Sequence, residues 1–256
     1  MSTFHARPDA YERYMGLWSR PLARAFVDAV GIAPGQRVLD VGCGTGALTT
    51  ELAQKVGAEH VAAVDPSEPF AAACAAAVPD ADVRVGGGET LPFADGSFDA
   101  ALSQLVVNFM ADAHAGVAEM SRVVRQGGTV AACTWDLRDG MTMLRVFWDA
   151  AVAVNPSAPH EGRTMPFCTS DELDLLWREV GLADVETGEL VVTRSYASFD
   201  DFWEPFTFGV GPAGAYCVSL DPPARAALRE ECFRQLGSPA GPLDLTARAW
   251  LVRGTA

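Results

Sequence analysis

One short stretch, Val38–Gly46, constrains the fold of this chain more than any other. It reads Val-Leu-Asp-Val-Gly-Cys-Gly-Thr-Gly, so an apolar, strand-like run passes directly into three closely spaced glycines. Glycine adopts backbone angles that other residues avoid, and it lets a ligand approach the main chain. A helix that follows such a turn offers unpaired amides to a negative or polar group. The stretch predicts a strand, a tight turn and a helix, formed either to bind a ligand or only to make a close connection.

The spacing of the glycines and of a later aspartate narrows the ligand to a nucleoside. A dinucleotide fingerprint has the pattern G-x-G-x-x-G, whereas Gly42, Gly44 and Gly46 give G-x-G-x-G, and Ala47 stands at the last fingerprint position. Asp65 follows Gly46 by nineteen residues and closes the next apolar run. A carboxylate there can accept two hydrogen bonds from a ribose diol. These residues leave open whether the nucleoside carries nicotinamide or a sulfonium amino acid.

The pattern along the chain predicts an α/β fold: a doubly wound, mostly parallel, Rossmann-like sheet of about seven strands, with helices on both faces and a helical cap and insertions. Strand-like and helix-like segments alternate over the first 135 residues, which favours parallel strands joined by helical crossovers. The predicted strands are Arg37–Val41, His60–Val64, Val83–Val85, a fourth beginning at Ala100–Leu102, Thr129–Trp135, Val185–Tyr196 and Leu245–Val252. The predicted helices are Pro21–Val30, Ala47–Val56, Glu68–Ala77, Gly116–Val124, Met141–Val154, Ser170–Val180, Phe199–Phe208 and Pro222–Leu236, with a loop over Asn155–Ser170.

Four segments resemble motifs of class I S-adenosylmethionine-dependent methyltransferases. Val38–Gly46 resembles their first motif, and Asp65 matches the acidic residue after their second strand. Gly86–Asp99 and Glu119–Gly128 are similar to the corresponding segments of the ubiquinone/menaquinone C-methyltransferases and their small-molecule relatives. The motifs occur in order over about half the chain, and Tyr11–Ser19 also resembles a cap segment of that subgroup. The resemblance implies S-adenosyl-L-methionine as cofactor and a methyltransferase activity.

The resemblance also implies a set of cofactor-binding residues. The glycine turn would line the methionine and ribose portion, and the second-strand aspartate would hold the ribose hydroxyls. The next two residues would flank the adenine, two residues after the third strand would lie by the adenine edge, and a glutamine after the fourth strand would face the methionine part. In that order, the residues are Gly42, Cys43, Gly44, Thr45, Gly46, Asp65, Pro66, Ser67, Gly88, Glu89 and Gln104.

Gly87 departs from the family pattern. Relatives usually carry Asp or Asn there, and that side chain receives the adenine amino group. In this chain a backbone carbonyl, a water or Glu89 would have to replace it. Gly87 therefore keeps open a non-catalytic module that binds S-adenosylmethionine. The glycine turn and Asp65 also leave open an NAD-type oxidoreductase, which Ala47 and the later motifs disfavour.

Charge and composition narrow the class of partner. The formal net charge is −14, and Lys55 is the single lysine, so phosphate backbones and anionic membrane surfaces would repel the chain. Six scattered cysteines show no metal-ligand spacing, which is typical of reduced thiols in a cytosolic protein. No apolar run reaches the length of a membrane span. We expect a cytoplasmic protein that acts on a small molecule, with no metal, no nucleic-acid partner and no membrane partner. The sequence does not give its oligomeric state.

The sequence is interpreted as one methyltransferase domain, 1–256, with four regions. These are an N-terminal cap (1–30), a cofactor-binding half (31–135), a variable acceptor-side region (136–240) and a last strand (241–256). Acceptor specificity is expected in the cap and the variable region, since ligands bind beyond the carboxyl ends of such strands. The aromatic residues of these regions predict a mostly apolar acceptor.

Methyl transfer from a sulfonium requires alignment more than acid–base chemistry. The protein has to hold the nucleophile, the methyl carbon and the sulfur in line. A general base helps only where the acceptor is a phenol, an enol or a carbon acid. The candidates are His160 in the variable region and Tyr11 and Tyr14 in the cap, each of which has an ordinary packing or surface role as its alternative.

Overall fold

The computed structural model describes residues 8–256, and the first seven residues of the predicted cap lie outside this range. A sheet of seven strands in the order β3-β2-β1-β4-β5-β7-β6 organises the described chain. Strands β1 to β5 pair in parallel, as predicted. The strands are β1 Val38–Val41, β2 Val61–Asp65, β3 Asp82–Val85, β4 Phe98–Gln104, β5 Val124–Trp135, β6 Ala183–Tyr196 and β7 Leu243–Thr255.

Helices follow most strands and confirm the α/β fold class. They are α1 Pro8–Tyr11, α2 Leu17–Val30, α3 Ala47–Val56, α4 Glu68–Ala77, α5 Ala113–Val123, α6 Thr142–Val154, α7 Glu161–Thr164, α8 Ser170–Val180, α9 Phe199–Trp203, α10 Gly211–Ser219 and α11 Pro222–Gln235. Short segments of other helix types cover Glu12–Gly16, Ala58–His60, Val107–Phe109 and Glu204–Phe208.

The predicted bounds of α3, α4 and α8 agree with the structure, and α3 and α8 have a clear stop or cap. Gly57 ends α3 with a backbone angle φ of +92°, a conformation that favours glycine. The side chain of Thr169 accepts a hydrogen bond from the amide of Glu172 and begins α8. Gly181 ends that helix with φ +94°. Local signals of this kind do not depend on the rest of the fold.

The predicted start of the first long helix was wrong. The sequence predicts Pro21 as its first residue, whereas α2 begins at Leu17 and includes Pro21 in its interior. Pro21 is the fifth residue of α2, and the segment Glu12–Gly16 leads directly into this helix, so the proline lies inside a longer helical run. Its missing amide removes one hydrogen bond within the helix. Trp18 and Leu22 are fully buried, and this packing stabilises the helix on the N-terminal side of the proline.

The predicted break at Gln126–Gly128 also differs from the structure. Helix α5 ends at Val123, and β5 begins at the next residue and includes both glycines. The register between β4 and β5 shifts between the pairs Phe98–Val124 and Ala100–Thr129, as in a bulge. Gly127 has φ +78°, and its amide donates to the carbonyl of Ala256 at 2.9 Å. The glycines therefore shape a bulged strand, which the sequence alone presented as a turn.

Two helices lie where none was predicted. The expected loop over Asn155–Ser170 contains the four-residue helix α7, and α10 follows Val210. The predicted helix Phe199–Phe208 is divided into α9 and a tighter segment. The buried aromatic residues there are Phe199, Phe202, Trp203 and Phe206, while Phe208 is half-buried beneath the guanidinium of Arg13.

The described chain forms two compact units, each assembled from separate segments. The larger unit comprises Ser19–Thr134, Pro166–Leu190 and Ala249–Ala256. The smaller unit comprises the described residues up to Trp18, together with Trp135–Met165 and Val191–Arg248. Strands β1 to β4 belong to the larger unit, and helices α6, α10 and α11 belong to the smaller one. Whether the four predicted regions have the roles assigned to them stays a prediction.

Candidate functional site

The glycine turn after β1 is a tightly packed structure in the larger unit. Gly42, Gly44 and Gly46 all have positive φ, at 80°, 53° and 90°. A Cβ atom at Gly42 would lie 2.4 Å from Cγ2 of Val106, and one at Gly46 would lie 3.2 Å from the Cys74 thiol. The first and third glycines are therefore required by both backbone conformation and space.

Gly44 differs from its two neighbours, because a Cβ atom there would meet nothing within 4 Å. The open side of the turn lies at its middle residue. The turn itself is held to β2, since the amides of Gly42 and Cys43 both donate to the carbonyl of Val64, at 2.8 and 3.0 Å. A fixed turn with an open middle is a shape that accepts a ligand against the main chain.

Asp65 is the last residue of β2, and its side chain also binds the turn. Its two carboxylate oxygens accept hydrogen bonds from the amides of Gly44, at 2.9 Å, and Ser67, at 2.8 Å. Burial raises the pKa of Asp65, and these two amides oppose that rise. Each oxygen of a carboxylate has a second lone pair. Asp65 can thus keep both amides and still accept from two hydroxyl groups. Pro66 and Ser67 follow it at the start of α4.

Asp40 lies one residue before the end of β1 and is 1% exposed. Its Oδ2 accepts from the hydroxyl of Thr49 at 2.6 Å, while its Oδ1 is buried and has no hydrogen-bond partner. Burial raises the pKa of Asp40 to about 7, the Thr49 hydrogen bond opposes this, and the charge of Asp65 adds to it. A buried, unpaired carboxylate oxygen is costly unless a ligand supplies a donor.

Two further buried oxygens lack partners at the end of β4. Gln104 donates through Nε2 to the carbonyl of Ser19 at 3.0 Å, which leaves its Oε1 without a partner. Asn108, in the short helix after β4, has an unpaired Oδ1. With Asp40 Oδ1 they give three unpaired acceptors and suit a ligand with N–H donors or a positive charge. Asn108 was missed by the sequence analysis because it lies outside the recognised motifs.

Cys43 lies in the turn and packs against Cys74. Its thiol and that of Cys74 form a hydrogen-bonded pair, and Cys74 also contacts the Thr49 hydroxyl at 3.3 Å. The hydrogen bond with Cys74 and burial raise the pKa of Cys43. Thr45, also in the turn, is buried.

The segment after β3 carries the other predicted residues. A Cβ atom at Gly88 would lie 2.8 Å from Cε of Met110 and 3.2 Å from Cγ1 of Val41, so a side chain there would require the Met110 side chain to move. Glu89 accepts from the amide of Ala111 at 2.9 Å through Oε1, and its Oε2 lies 3.3 Å from where a Cβ of residue 87 would be. The carboxylate of Glu89 therefore lies beside the place where relatives have an Asp or Asn side chain.

The three candidate bases all lie in the smaller unit. His160 precedes α7, Tyr14 lies in the segment between α1 and α2, and Tyr11 ends α1. His160 and Tyr14 are buried, and Tyr11 is half-buried. Near them lies Glu161, 6% exposed, whose carboxylate accepts from the indole N–H of Trp148 at 2.9 Å. Burial raises the pKa of Glu161 to about 7. No sequence motif marks this residue, which would pass as an ordinary first residue of a helix.

The described residues contain no group of three or more His, Cys, Asp or Glu side chains that could hold a metal ion. Within 8–256, every helix is too short or too polar to cross a bilayer. All six cysteines are buried, and none of them forms a disulfide.

Comparison with known proteins gives a family match for the glycine-turn half of the chain. Residues 39–132 match the family model described as a methyltransferase domain. The demethylmenaquinone methyltransferase of Beutenbergia cavernae is 42% identical over 105 residues, which cover 41% of this chain and 43% of that protein. This chain thus aligns with less than half the length of that relative.

Two other proteins are similar over nearly the whole chain. The nocamycin O-methyltransferase of Saccharothrix syringae is 28% identical, with 92% of this chain and 90% of that protein covered. A solved structure from Anabaena variabilis, titled as a putative methyltransferase from an antibiotic biosynthesis pathway, superposes with a TM-score of 0.59 at 19% identity. It covers 93% of this chain and 99% of its own, and it supports the fold. These matches do not favour the oxidoreductase or the non-catalytic alternative.

Proposed function

We propose, for a chain whose residues 39–132 are a class I S-adenosylmethionine-dependent methyltransferase domain, that the whole protein transfers a methyl group from this cofactor to a small, partly apolar molecule. The acceptor atom that best fits is a hydroxyl oxygen. The O-methyltransferase similar over 92% of the chain supports this choice, because its similarity includes the regions outside the family match.

The observation that carries the proposal is the fit of the larger unit to the cofactor. The open middle of the turn at Gly44 leaves room for the ligand against the main chain. Asp65 would hold the ribose hydroxyls with its remaining lone pairs. The unpaired oxygens of Asp40, Gln104 and Asn108 would accept from the amino group of the methionine part. The ammonium group of the methionine part would provide N–H donors for these buried acceptors, which an anionic group without donors would not.

The roles of the other predicted residues follow from their places. Pro66 and Ser67 would flank the adenine at the start of α4, and the backbone at Gly88 would approach its edge closely. Glu89 would accept the adenine amino group in place of the side chain that Gly87 lacks, because its Oε2 lies beside that position. Cys43 and Thr45 would shape the turn, with Cys43 acting through its packing on Cys74.

The bound cofactor supplies a methyl group that is already activated. The residues therefore act chiefly by orientation and by exclusion of water. Asp40 and Asp65 are nearly fully buried, so their charges act in a low-dielectric environment where they orient a cation strongly.

We place the protein in the cytoplasm. Six buried cysteines that form no disulfide fit a reducing compartment, where disulfides are rare. The net charge of −14 argues against nucleic acid as the acceptor.

The test is calorimetric titration with S-adenosylmethionine, S-adenosylhomocysteine and NAD. We expect micromolar binding of the first two and none of NAD. Asp65→Ala should abolish binding, while Asp28→Ala, which removes an exposed carboxylate beside Lys55, should leave it unchanged. Binding of NAD alone, or full binding by Asp65→Ala, would exclude the proposal. A screen of hydroxyl, amino and thiol compounds for release of S-adenosylhomocysteine then identifies the acceptor.

A further inference from the structure

Two cysteines from different elements meet beside the glycine turn of the larger unit. Cys43 lies between the first two glycines of the turn, and Cys74 lies on α4. Both are buried, and together with Ala63 they form a small buried cluster. Their thiols share a side-chain hydrogen bond. A disulfide forms only between cysteines whose Cβ atoms point towards each other, and two thiols that share a hydrogen bond are oriented in this way.

Helix α4 packs closely on the turn at Cys74. A Cβ atom at Gly46 would lie 3.2 Å from the sulfur and 3.3 Å from the Cα of Cys74, so the turn has little free space on this side. Two sulfurs in hydrogen-bond contact are farther apart than the about 2.05 Å of a disulfide bond. Formation of that bond would therefore draw Cys43 and α4 together and distort the turn.

A chain of hydrogen bonds leads from the thiol pair to Asp40. The thiol of Cys74 donates to the hydroxyl of Thr49 at 3.3 Å, and this hydroxyl donates to Oδ2 of Asp40 at 2.6 Å. A hydroxyl that accepts one hydrogen bond and donates another can pass a proton between its two partners. The hydrogen bond from Cys43 lowers the pKa of Cys74, burial opposes this, and the contact with Thr49 adds to it. The thiolate is the form of cysteine that reacts with oxidants. Cys74 is therefore the sulfur suited to be oxidised first, with Cys43 beside it as the thiol that completes a disulfide.

The main chain connects Cys43 to the residues proposed to hold the cofactor. The amide of Cys43 donates to the carbonyl of Val64 at 3.0 Å, and the amide of the next residue, Gly44, donates to Asp65 at 2.9 Å. Gly44 is also the open residue of the turn. A displacement of Cys43 would therefore disturb both the open part of the turn and the hydrogen bond that orients Asp65.

We propose that Cys43 and Cys74 form a reversible disulfide in the presence of a small peroxide, and that the oxidised turn binds the cofactor more weakly. This inference rests on the function proposed above and adds a regulation of the same site. The burial of both sulfurs restricts the oxidant to a molecule as small as hydrogen peroxide. In a reducing compartment a disulfide of this kind is transient and suits redox sensing.

The proposed reaction balances in atoms and electrons. The thiolate of Cys74, whose proton has passed to Asp40, attacks one oxygen of hydrogen peroxide and the oxygen–oxygen bond breaks. The departing hydroxide takes that proton and leaves as water, and Cys74 becomes a sulfenic acid. The sulfur of Cys43 then attacks the sulfur of Cys74, the sulfur–oxygen bond breaks, and the hydroxide leaves as a second water with the proton of Cys43. In sum, two thiols are oxidised to one disulfide, and one peroxide is reduced to two waters.

The first test is peptide mapping of the wild-type protein after treatment with hydrogen peroxide and alkylation of the remaining thiols. Trypsin cleaves after Arg37, Lys55 and Arg84, so Cys43 and Cys74 fall on the separate peptides 38–55 and 56–84, each with a single cysteine. We expect mass spectrometry to find these two peptides joined, with the loss of two hydrogen atoms, and dithiothreitol to separate them. Oxidation of either cysteine without this cross-link, or a cross-link of either to another cysteine, would overturn the proposal.

The second test measures the effect of the disulfide on the cofactor site. Calorimetry with S-adenosylhomocysteine should give a Kd about tenfold higher for the oxidised wild type, because a hydrogen bond to a charged group is disturbed, and reduction should restore it. Cys74→Ser forms no disulfide, so its Kd should be the same before and after peroxide treatment. The matched control, Cys133→Ser, removes another buried thiol of the larger unit and should respond to peroxide as the wild type does.

Two further outcomes would overturn the inference. One is an oxidised wild type that carries the cross-link and binds S-adenosylhomocysteine with the Kd of the reduced protein. The other is a loss of affinity on peroxide treatment that is as large in Cys74→Ser as in the wild type. Failure of the reduced wild type to bind S-adenosylmethionine or S-adenosylhomocysteine would instead contradict the function proposed above, and the cross-link would still be measured by peptide mapping.

Discussion

The two units bury carboxyl groups in different ways. In the larger unit, Asp65 receives two backbone amides from residues near it in the turn and in the start of α4. In the smaller unit, Glu161 receives one side-chain donor, the indole of Trp148 on another helix. Backbone donors are fixed once a turn forms, whereas a side-chain donor depends on the packing of separate elements. The comparison suggests that the larger unit is preorganised by local sequence and the smaller unit by tertiary packing.

The largest effect is expected from Gly42→Ala, which tests the preorganised turn. The new methyl would lie 2.4 Å from Val106, and the residue would keep φ +80°. Overpacking costs about 1–3 kcal/mol, and a left-handed backbone about 1–2 kcal/mol more. The free energy of unfolding, from guanidinium titration, should fall by the sum.

Gly44→Ala provides the control for this variant, because its methyl meets no atom within 4 Å. This substitution should therefore cost only the free energy of the left-handed backbone. Val106→Ala in the Gly42→Ala background should recover the packing part of the loss. Equal destabilisation by the two alanine variants would show that the turn is not closely packed.

The pH dependence of stability tests the burial of the Glu161 carboxyl group in the smaller unit. Burial raises the pKa of Glu161 from 4.5 to about 7 in the folded protein. As pH rises, this side chain therefore loses its proton at a lower pH in the unfolded chain than in the folded protein. Folded wild type is therefore destabilised progressively between about pH 4.5 and 7, by about 3 kcal/mol in full. Glu161→Gln keeps an acceptor for Trp148 and has no charge to bury. Its stability relative to wild type should rise over this interval and stay constant above it. A difference independent of pH would contradict the burial of this charge.

Trp148→Phe tests the single donor to Glu161. Removal of the indole N–H leaves a buried carboxylate oxygen without a partner, which costs about 1–3 kcal/mol. Thermal or chemical unfolding at pH 8 measures the loss. In the Glu161→Leu background the cost of Trp148→Phe should shrink, and an unchanged cost would assign the effect to lost packing alone.

A smaller effect is expected for Asp40 on cofactor affinity. Its pKa of about 7 means that the carboxylate becomes protonated just below neutral pH. Affinity for S-adenosylmethionine should then weaken by up to tenfold per pH unit below 7, since the charged oxygen is the one that accepts from an amino group. Asp40→Asn should bind about tenfold more weakly at pH 8 and show little change with pH. Parallel slopes for both proteins would remove Asp40 from the cofactor site.

The difference between the units also explains how much the sequence could predict. The turn, Asp65 and helices α3, α4 and α8 depend on neighbouring residues, and their positions agree with the structure. The helix start at Leu17 and the bulge at Gly127 depend on contacts with parts of the chain that are distant in sequence. The predictions of a helix start at Pro21 and of a turn at Gly127 and Gly128 were therefore wrong.

The candidate site follows the same division. The place of Asp65 was predictable because it closes an apolar strand, whereas Gln104 was named from the family resemblance and is the last residue of β4. Asn108 and Glu161 could not be found, because an unpaired oxygen or an indole donor thirteen residues away is a property of the folded chain. The assignment of the predicted residues to a bound cofactor remains a prediction.

The segmented smaller unit has a consequence for synthesis of the protein on the ribosome. The indole of Trp18 donates to the hydroxyl of Tyr196, which in turn donates to the sulfur of Met143. The ribosome releases Trp18 long before either partner exists, while the neighbouring strands β1, β2 and β4 emerge within a much shorter stretch of chain. We expect the parallel strands to assemble during translation, while Trp18 stays exposed until Met143 and Tyr196 have been synthesised. A chaperone that binds apolar helices would meet this protein first at that helix.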